Sequence, residues 1–182
     1  YGIGQLALHH GAGEVVAVDV VEQKLAFARR EGMTPVDASE ENPVDRVAEL
    51  TDGVGADVVF EAVGGKQSHV TDGSDPLAQA FHMARIGGSI VQVGHVIGSV
   101  GVSPRKLRKK CVSWINPTRG VVSTGPNADT GRYATQLVAD DRVSLSEYIT
   151  HDFRGLESFE AAVDATLDDP SALGPAQIVL AE

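Results

Sequence analysis

The sequence predicts an α/β fold, a doubly wound parallel sheet with helices on both faces. Three observations carry that expectation. Apolar runs and amphipathic stretches alternate along most of the chain, as strands joined by crossover helices do. The run Ala56-Asp57-Val58-Val59-Phe60-Glu61-Ala62-Val63 is too continuously apolar for a half-exposed strand and is expected in the middle of the sheet. The run Val15-Val16-Ala17-Val18, which follows the turn Gly11-Ala12-Gly13-Glu14, is closed by an acid, Asp19.

The elements follow in order. A helix from near Tyr1 to His10 ends at Gly11, and a strand spans Glu14 to Asp19. The next helix, Val21 to Arg30, has Leu25, Phe27 and Ala28 for its apolar contacts and Gly32 beyond its end. Thr34 to Asp37 is a short strand. Asn42 caps a helix that starts at Pro43, where proline's fixed φ suits the first position, and Val44, Val47 and Leu50 form its buried face. After the central strand, Gly65 to Asp75 reads as a surface loop and Pro76 to about Arg85 as a helix. Gly87-Gly88 turns into the strand Ser89 to Val93, which ends at Gly94. The segment Arg105-Lys106-Leu107-Arg108-Lys109-Lys110 reads as a solvated helix face, and Cys111 to Ile115 as a strand. A Gly/Pro/Asn-rich excursion, 116–127, precedes a helix from Thr130 to Ala139. A strand Tyr148 to Thr150, a helix Leu156 to Leu167 and a strand Gln177 to Leu180 close the chain.

Composition bounds the function. A chain of 182 residues, 42% hydrophobic and 22% charged, is long enough for one domain or slightly more. No apolar run is long enough to span a membrane and none reads as a signal peptide, so no membrane partner and a cytoplasmic location are expected. The net charge of −10 argues against nucleic acid as a partner. Cys111 is the sole cysteine, which excludes an intrachain disulfide and a multi-cysteine zinc site; it is expected to be a buried structural thiol.

In a dinucleotide-binding α/β unit, an acid ending the second strand accepts hydrogen bonds from the adenosine ribose, about 20 residues beyond a glycine-rich phosphate loop. Only 18 residues precede Asp19. Gly2-Ile3-Gly4-Gln5-Leu6-Ala7 fits G-x-G-x-x-G/A, but no strand leads into it, and less than one helical turn lies between Ala7 and Gly11. The other register makes Tyr1 to His10 the end of a crossover helix whose phosphate loop stops just before Tyr1. Gly2 and Gly4 are then helix-packing glycines. The sheet is then expected to lack its first strand and glycine-rich loop, leaving two strand edges unpaired.

Four stretches, in this order, resemble the coenzyme-binding domain of the medium-chain dehydrogenase/reductase family, the zinc-type alcohol dehydrogenases. They are Gly13-Glu14-Val15-Val16-Ala17-Val18-Asp19, Gly55 to Gly64, Gly87 to Gly94, and Ile149-Thr150-His151-Asp152-Phe153 with the following Leu156, Phe159, Ala162 and Ile178-Val179-Leu180. The resemblance implies a Rossmann-type fold over residues 1–182, an NAD-binding domain with a carboxy-terminal return segment, and an amino-terminal zinc and substrate domain outside this chain. It implies that Asp19 holds the adenosine ribose with Lys24 beside it, and that NAD is favoured over NADP because an acid repels a 2′-phosphate. It assigns Ala62, Val63 and Gly64 to a turn approached by the coenzyme, and Val93 and Gly94, with His95 nearby, to the nicotinamide side. Gln177 stands where the family carries a basic residue for the pyrophosphate.

The family's zinc ligands lie in the amino-terminal domain and just before the glycine loop, so zinc is expected only there; no catalytic or metal-binding residue is assigned in this chain. The expected activity of the intact parent is hydride transfer from an alcohol to NAD, with a small alcohol or aldehyde as substrate. A homodimer or tetramer is expected, paired through the Cys111 to Ile115 strand. The chain alone is expected to be inactive. The alternatives are a non-catalytic nucleotide-binding or interaction module, and part of a zinc-free quinone-type reductase. His9, His10, His69 and His82 read as packing or surface residues, His151 as part of the strand-to-helix signature, and Asp140-Asp141 and Asp168-Asp169 as acids at helix ends.

Overall fold

A computed structural model describes residues 1–67, 75–98, 101, 103–117, 130–169 and 172–180. The chain divides into two compact units, one drawn from Tyr1–Asp37 and Asp129–Glu182, the other from Ala38–Ala128. Each is a parallel α/β assembly.

The first unit opens with helix α1, Gly2–His9, and strand β1, Val16–Asp19. Helix α2, Glu22–Arg30, crosses to β2, Thr34–Asp37, which pairs with β1 in parallel from Val16↔Thr34 to Asp19↔Asp37. Charge order favours α2, with Glu22 in its first turn and Arg29 and Arg30 in its last. It stops where Gly32 takes φ +79°, with Gly32 N–H donating to Arg29 O and Met33 N–H to Ala28 O, the paired bonds of a Schellman motif. Leu25, Phe27, Ala28, Met33 and Val36 are buried. Gly4 packs as expected, because a Cβ there would fall 2.5 Å from Met33 Sδ; Gly2 meets nothing within 4 Å and is no packing glycine.

The second unit begins with α3, Pro43–Leu50, capped by Asn42, whose Oδ1 accepts from Val44 N–H at 2.9 Å. Strand β3, Ala56–Glu61, leads to the two-residue β4, Gly65–Lys66, then to α4, Pro76–Met83. Strand β5, Ala84–Gln92, starts five residues earlier than expected and detours through Gly87 and Gly88 before pairing fully with β3. The two-residue β6, Val96–Ile97, pairs with β4. Helix α5, Pro104–Lys110, and strand β7, Ser113–Ile115, complete the unit, giving a parallel sheet of order β3-β5-β7. Its core is Leu77, Ala80, Phe81, Ala84 and Ile90.

Two expectations fail here. Strand β3 is an edge strand: β5 lies on one side, no strand pairs with the other among the described residues, and Val58 and Phe60 are exposed. Cys111 is exposed, because it ends α5 in the left-handed region at φ +51° with its Sγ turned back on Arg108 O, and the strand starts only at Ser113. Of the predicted surface loop, Gly65 and Lys66 form β4 and Gln67 is buried; 68–74, with His69, lie outside the described residues, as do 118–127 of the predicted excursion.

Returning to the first unit, α6 spans Thr130–Ala139, as expected. The predicted strand at 148–150 is displaced: Ser146–Tyr148 forms a 3₁₀ turn, and the strand, β8, is Asp152–Arg154, parallel to β9, Gln177–Val179. The displacement follows from Tyr148 packing onto Phe27, with ring centroids 4.9 Å apart, while Gln5 binds Ser144 and Tyr148. A second 3₁₀ turn, Leu156–Ser158, precedes α7, Phe159–Asp168, in which Ala162 is buried and Phe159 exposed.

Candidate functional site

In the first unit, Asp19 sits at the carboxyl end of β1. Its Oδ1 accepts from Val20 N–H at 2.8 Å and Val21 N–H at 3.1 Å, a local turn that starts α2. Its Oδ2 lies 4.0 Å from Lys24 Nζ and accepts from the Tyr1 hydroxyl at 3.5 Å. Asp19 and Lys24 therefore come together, both partly exposed. One carboxylate oxygen holds backbone, and the other stands weakly engaged, able to accept a hydroxyl. Burial first, then the Asp19 charge and hydrogen bond, hold the Tyr1 phenol far above its ordinary pKa.

In the second unit, the ends of β3 and β5 meet. Val93 and Gly94 both donate their N–H to Glu61 O at 2.8 Å, and Gly65 N–H donates to His95 O at 2.9 Å. Ala62, Val63 and Gly64 thus lie against Val93, Gly94 and His95. Gly64 has φ +67°, and a Cβ on it would fall 2.7 Å from His95 N. Only glycine fits both the conformation and the approach. Ala62, Val63, Val93 and His95 are exposed.

The residue that organises this junction, Glu61, carries no assignment from the sequence. It is 3% exposed, and its Oε1 accepts from Val63 N–H at 3.1 Å, Gly64 N–H at 2.8 Å and Gln67 Nε2 at 3.2 Å. Gln67, also buried, donates to Gly64 O and accepts from Leu77 N–H in the first turn of α4. Glu61 Oε2 is the one buried side-chain polar atom without a partner among the described residues. The signal in the sequence is an acid inside an apolar run, a position that burial permits only with donors at hand. Because Glu61 occupies the N–H groups of Val63 and Gly64, the turn offers carbonyls and apolar side chains. It suits an uncharged group bearing N–H or O–H donors better than a phosphate.

Gln177 opens β9, its N–H donating to His151 O at 3.0 Å. His151 Nε2 lies 3.2 Å from Asp169 Oδ2 and its Nδ1 2.9 Å from Thr150 Oγ1, so it ties the end of α7 to the approach of β8. Among the described residues no three His, Cys, Asp or Glu side chains converge on a point that could hold a metal ion. The donor set does not fit zinc, and no step is assigned to it.

Parallel strands with crossover helices, an acid closing β1 and glycines crowding the carboxyl ends of β3 and β5 define a Rossmann-type fold of the dehydrogenase kind. The chain belongs to the zinc-binding dehydrogenase family, whose model matches residues 2–138. It is 32% identical over 174 residues to the D-xylulose reductase of Saccharomyces cerevisiae, covering 89% of this chain and 42% of that protein. It is 29% identical over 176 residues to the NADP-dependent isopropanol dehydrogenase of Clostridium beijerinckii, covering 93% and 46%. The alcohol dehydrogenase TADH from Thermus sp. ATN1 superposes with a TM-score of 0.74 at 26% identity over 93% of this chain and 46% of that one. The chain thus spans less than half the length of these relatives.

Proposed function

We propose that residues 1–182 are the coenzyme-binding domain of an NAD-dependent alcohol or polyol dehydrogenase, and that this chain alone binds coenzyme weakly and turns over nothing. The observation that carries the reading is Asp19, an acid at the end of β1 with one oxygen only weakly engaged by the Tyr1 hydroxyl and Lys24 beside it. In this reading Asp19 and Lys24 take the adenosine ribose. Ala62, Val63, Gly64, Val93, Gly94 and His95 take the nicotinamide end, whose carboxamide N–H and ribose hydroxyl donors are in keeping with a turn whose own N–H groups are already used. A nicotinamide held there would supply the hydride acceptor for oxidation of an alcohol to its carbonyl compound, the hydroxyl proton being released. The negative charge of Asp19 supports NAD over NADP, although the C. beijerinckii relative is named for NADP. A cytoplasmic dimer or tetramer paired through β7 belongs to the same reading.

The test is fluorescence titration with NADH and NADPH. Asp19→Asn keeps an oxygen for the Val20 and Val21 N–H groups but removes the charge. The parent is expected to prefer NADH, and the variant to lose about tenfold in NADH affinity, the value of one charge-assisted hydrogen bond, and to narrow the preference. Equal NADH affinity in the two proteins, or tighter NADPH binding by the parent, refutes the assignment. Turnover of NAD with simple alcohols refutes the claim of inactivity.

A further inference from the structure

The second unit carries a hollow that the coenzyme reading leaves unused. Lys110 Nζ donates to the carbonyls of Phe81, His82 and Ala84 at 2.7–2.9 Å, pinning α5 to the end of α4 and the start of β5. Beside this clasp lies a groove of about 330 Å³. Phe81 and Leu107 reach it from the core, Ile86 stands 69% exposed within it, and Lys106 and Lys109 stand on its rim. Lys109 makes no hydrogen bond or ion pair among the described residues and also borders a hollow lined by Pro104, Arg105 and Arg108. Residues 76–117 contain no Asp or Glu, in a chain with 25 acids and a net charge of −10. Five cations fall on the seven residues of α5.

We propose that this groove binds a small anionic amphiphile, a single-chain carboxylate whose hydrocarbon lies over Ile86, Leu107 and Phe81 and whose carboxylate meets Lys109. The volume lies at the lower end of small-molecule sites, roughly 300–1,000 Å³. A polyanion such as nucleic acid would leave the apolar floor unused and face the repulsion of the acidic remainder of the chain. A neutral hydrocarbon would leave the cationic rim unused. An amphiphile uses both, with apolar burial supplying affinity and the rim fixing orientation. The groove lies at the start of β5, away from the strand ends assigned to coenzyme, so it neither requires nor excludes that reading.

Octanoate is the probe, followed by calorimetry and by fluorescence of Trp114, the only tryptophan, which packs edge-to-face on Phe81 with ring centroids 5.5 Å apart. Saturable octanoate binding is expected, with 1-octanol and acetate each at least about tenfold weaker. Lys109→Glu and, separately, Ile86→Ser are each expected to weaken octanoate about tenfold while leaving thermal unfolding and NADH affinity unchanged. Absence of saturation at millimolar octanoate, equal binding of octanol or acetate, or full affinity in both variants overturns the proposal. Binding to phosphatidylglycerol vesicles without binding to free octanoate overturns it in favour of a lipid surface.

Discussion

Alanine at Gly94 tests the junction of β3 and β5 most directly. A Cβ there would fall 2.5 Å from Gly64 N, 2.6 Å from Glu61 Oε2 and 2.9 Å from Gly64 Cα. Real Cβ contacts do not come that close, so something must shift. Neither obstacle gives easily: one is backbone, and the other belongs to a buried carboxylate held through its Oε1 by three donors. Gly94 does not have positive φ, so no backbone strain is added and the cost is overpacking alone, about 1–3 kcal/mol. For a chain of this length each kcal/mol moves the melting temperature by about 2–4 °C, which predicts a fall of roughly 2–12 °C. Gly131 is the internal control. It lies in α6 with nothing within 4 Å of its Cβ position, so alanine there is expected to be neutral or to stabilise by up to about 1 kcal/mol. The assay is paired thermal and denaturant unfolding of both variants. A Gly94→Ala protein as stable as the parent, or two variants that shift equally, refutes the reasoning.

Two further outcomes are expected. Lys110→Met removes the donor shared by three carbonyls at the end of α4 and should lower stability by about 1–3 kcal/mol, read from the urea midpoint; an unchanged midpoint removes the clasp from the account of this unit. The Tyr1 phenol, raised above 10.0 in the folded chain, favours the neutral form. Its contribution to stability is therefore complete below pH 10 and is lost as pH rises through the higher folded value. Absorbance titration near 295 nm (tyrosinate band), parent minus Tyr1→Phe, should show the Tyr1 phenol ionising well above 10.0 in the native chain and at its ordinary value in urea. A Tyr1 difference signal that appears near pH 10 in the native chain contradicts the placement of Tyr1 beside Asp19.

Much of this fold is legible because its signals are local. Asn42-Pro43 sets the start of α3, Gly32 sets the end of α2, and the hydrophobic period places α6. The errors arise where distant residues decide. Strand β8 shifts because Tyr148 is drawn to Phe27, more than a hundred positions away. Cys111 is exposed because α5 ends on it with a left-handed turn, which no hydropathy pattern announces. The apolar letters of β3 describe a strand with neighbours on both sides, whereas one side is unpaired among the described residues, and that is a property of pairing. At the candidate site, Asp19 stands out by position, since an acid ending a strand is conspicuous. Glu61 is concealed because its three donors come from a turn and from Gln67, six positions on.

The Glu61–Gln67–Leu77 relay also constrains how such a sequence can change. Leucine at 61 would strand the N–H groups of Val63 and Gly64 and the Gln67 amide; glutamate at 67 would set two buried carboxylates side by side and lose the donors to Glu61 and Gly64. Replacement that removes the acceptor at 61 or the donor at 67 leaves the other side of the relay unpaired, so across related chains such changes should appear at both positions together.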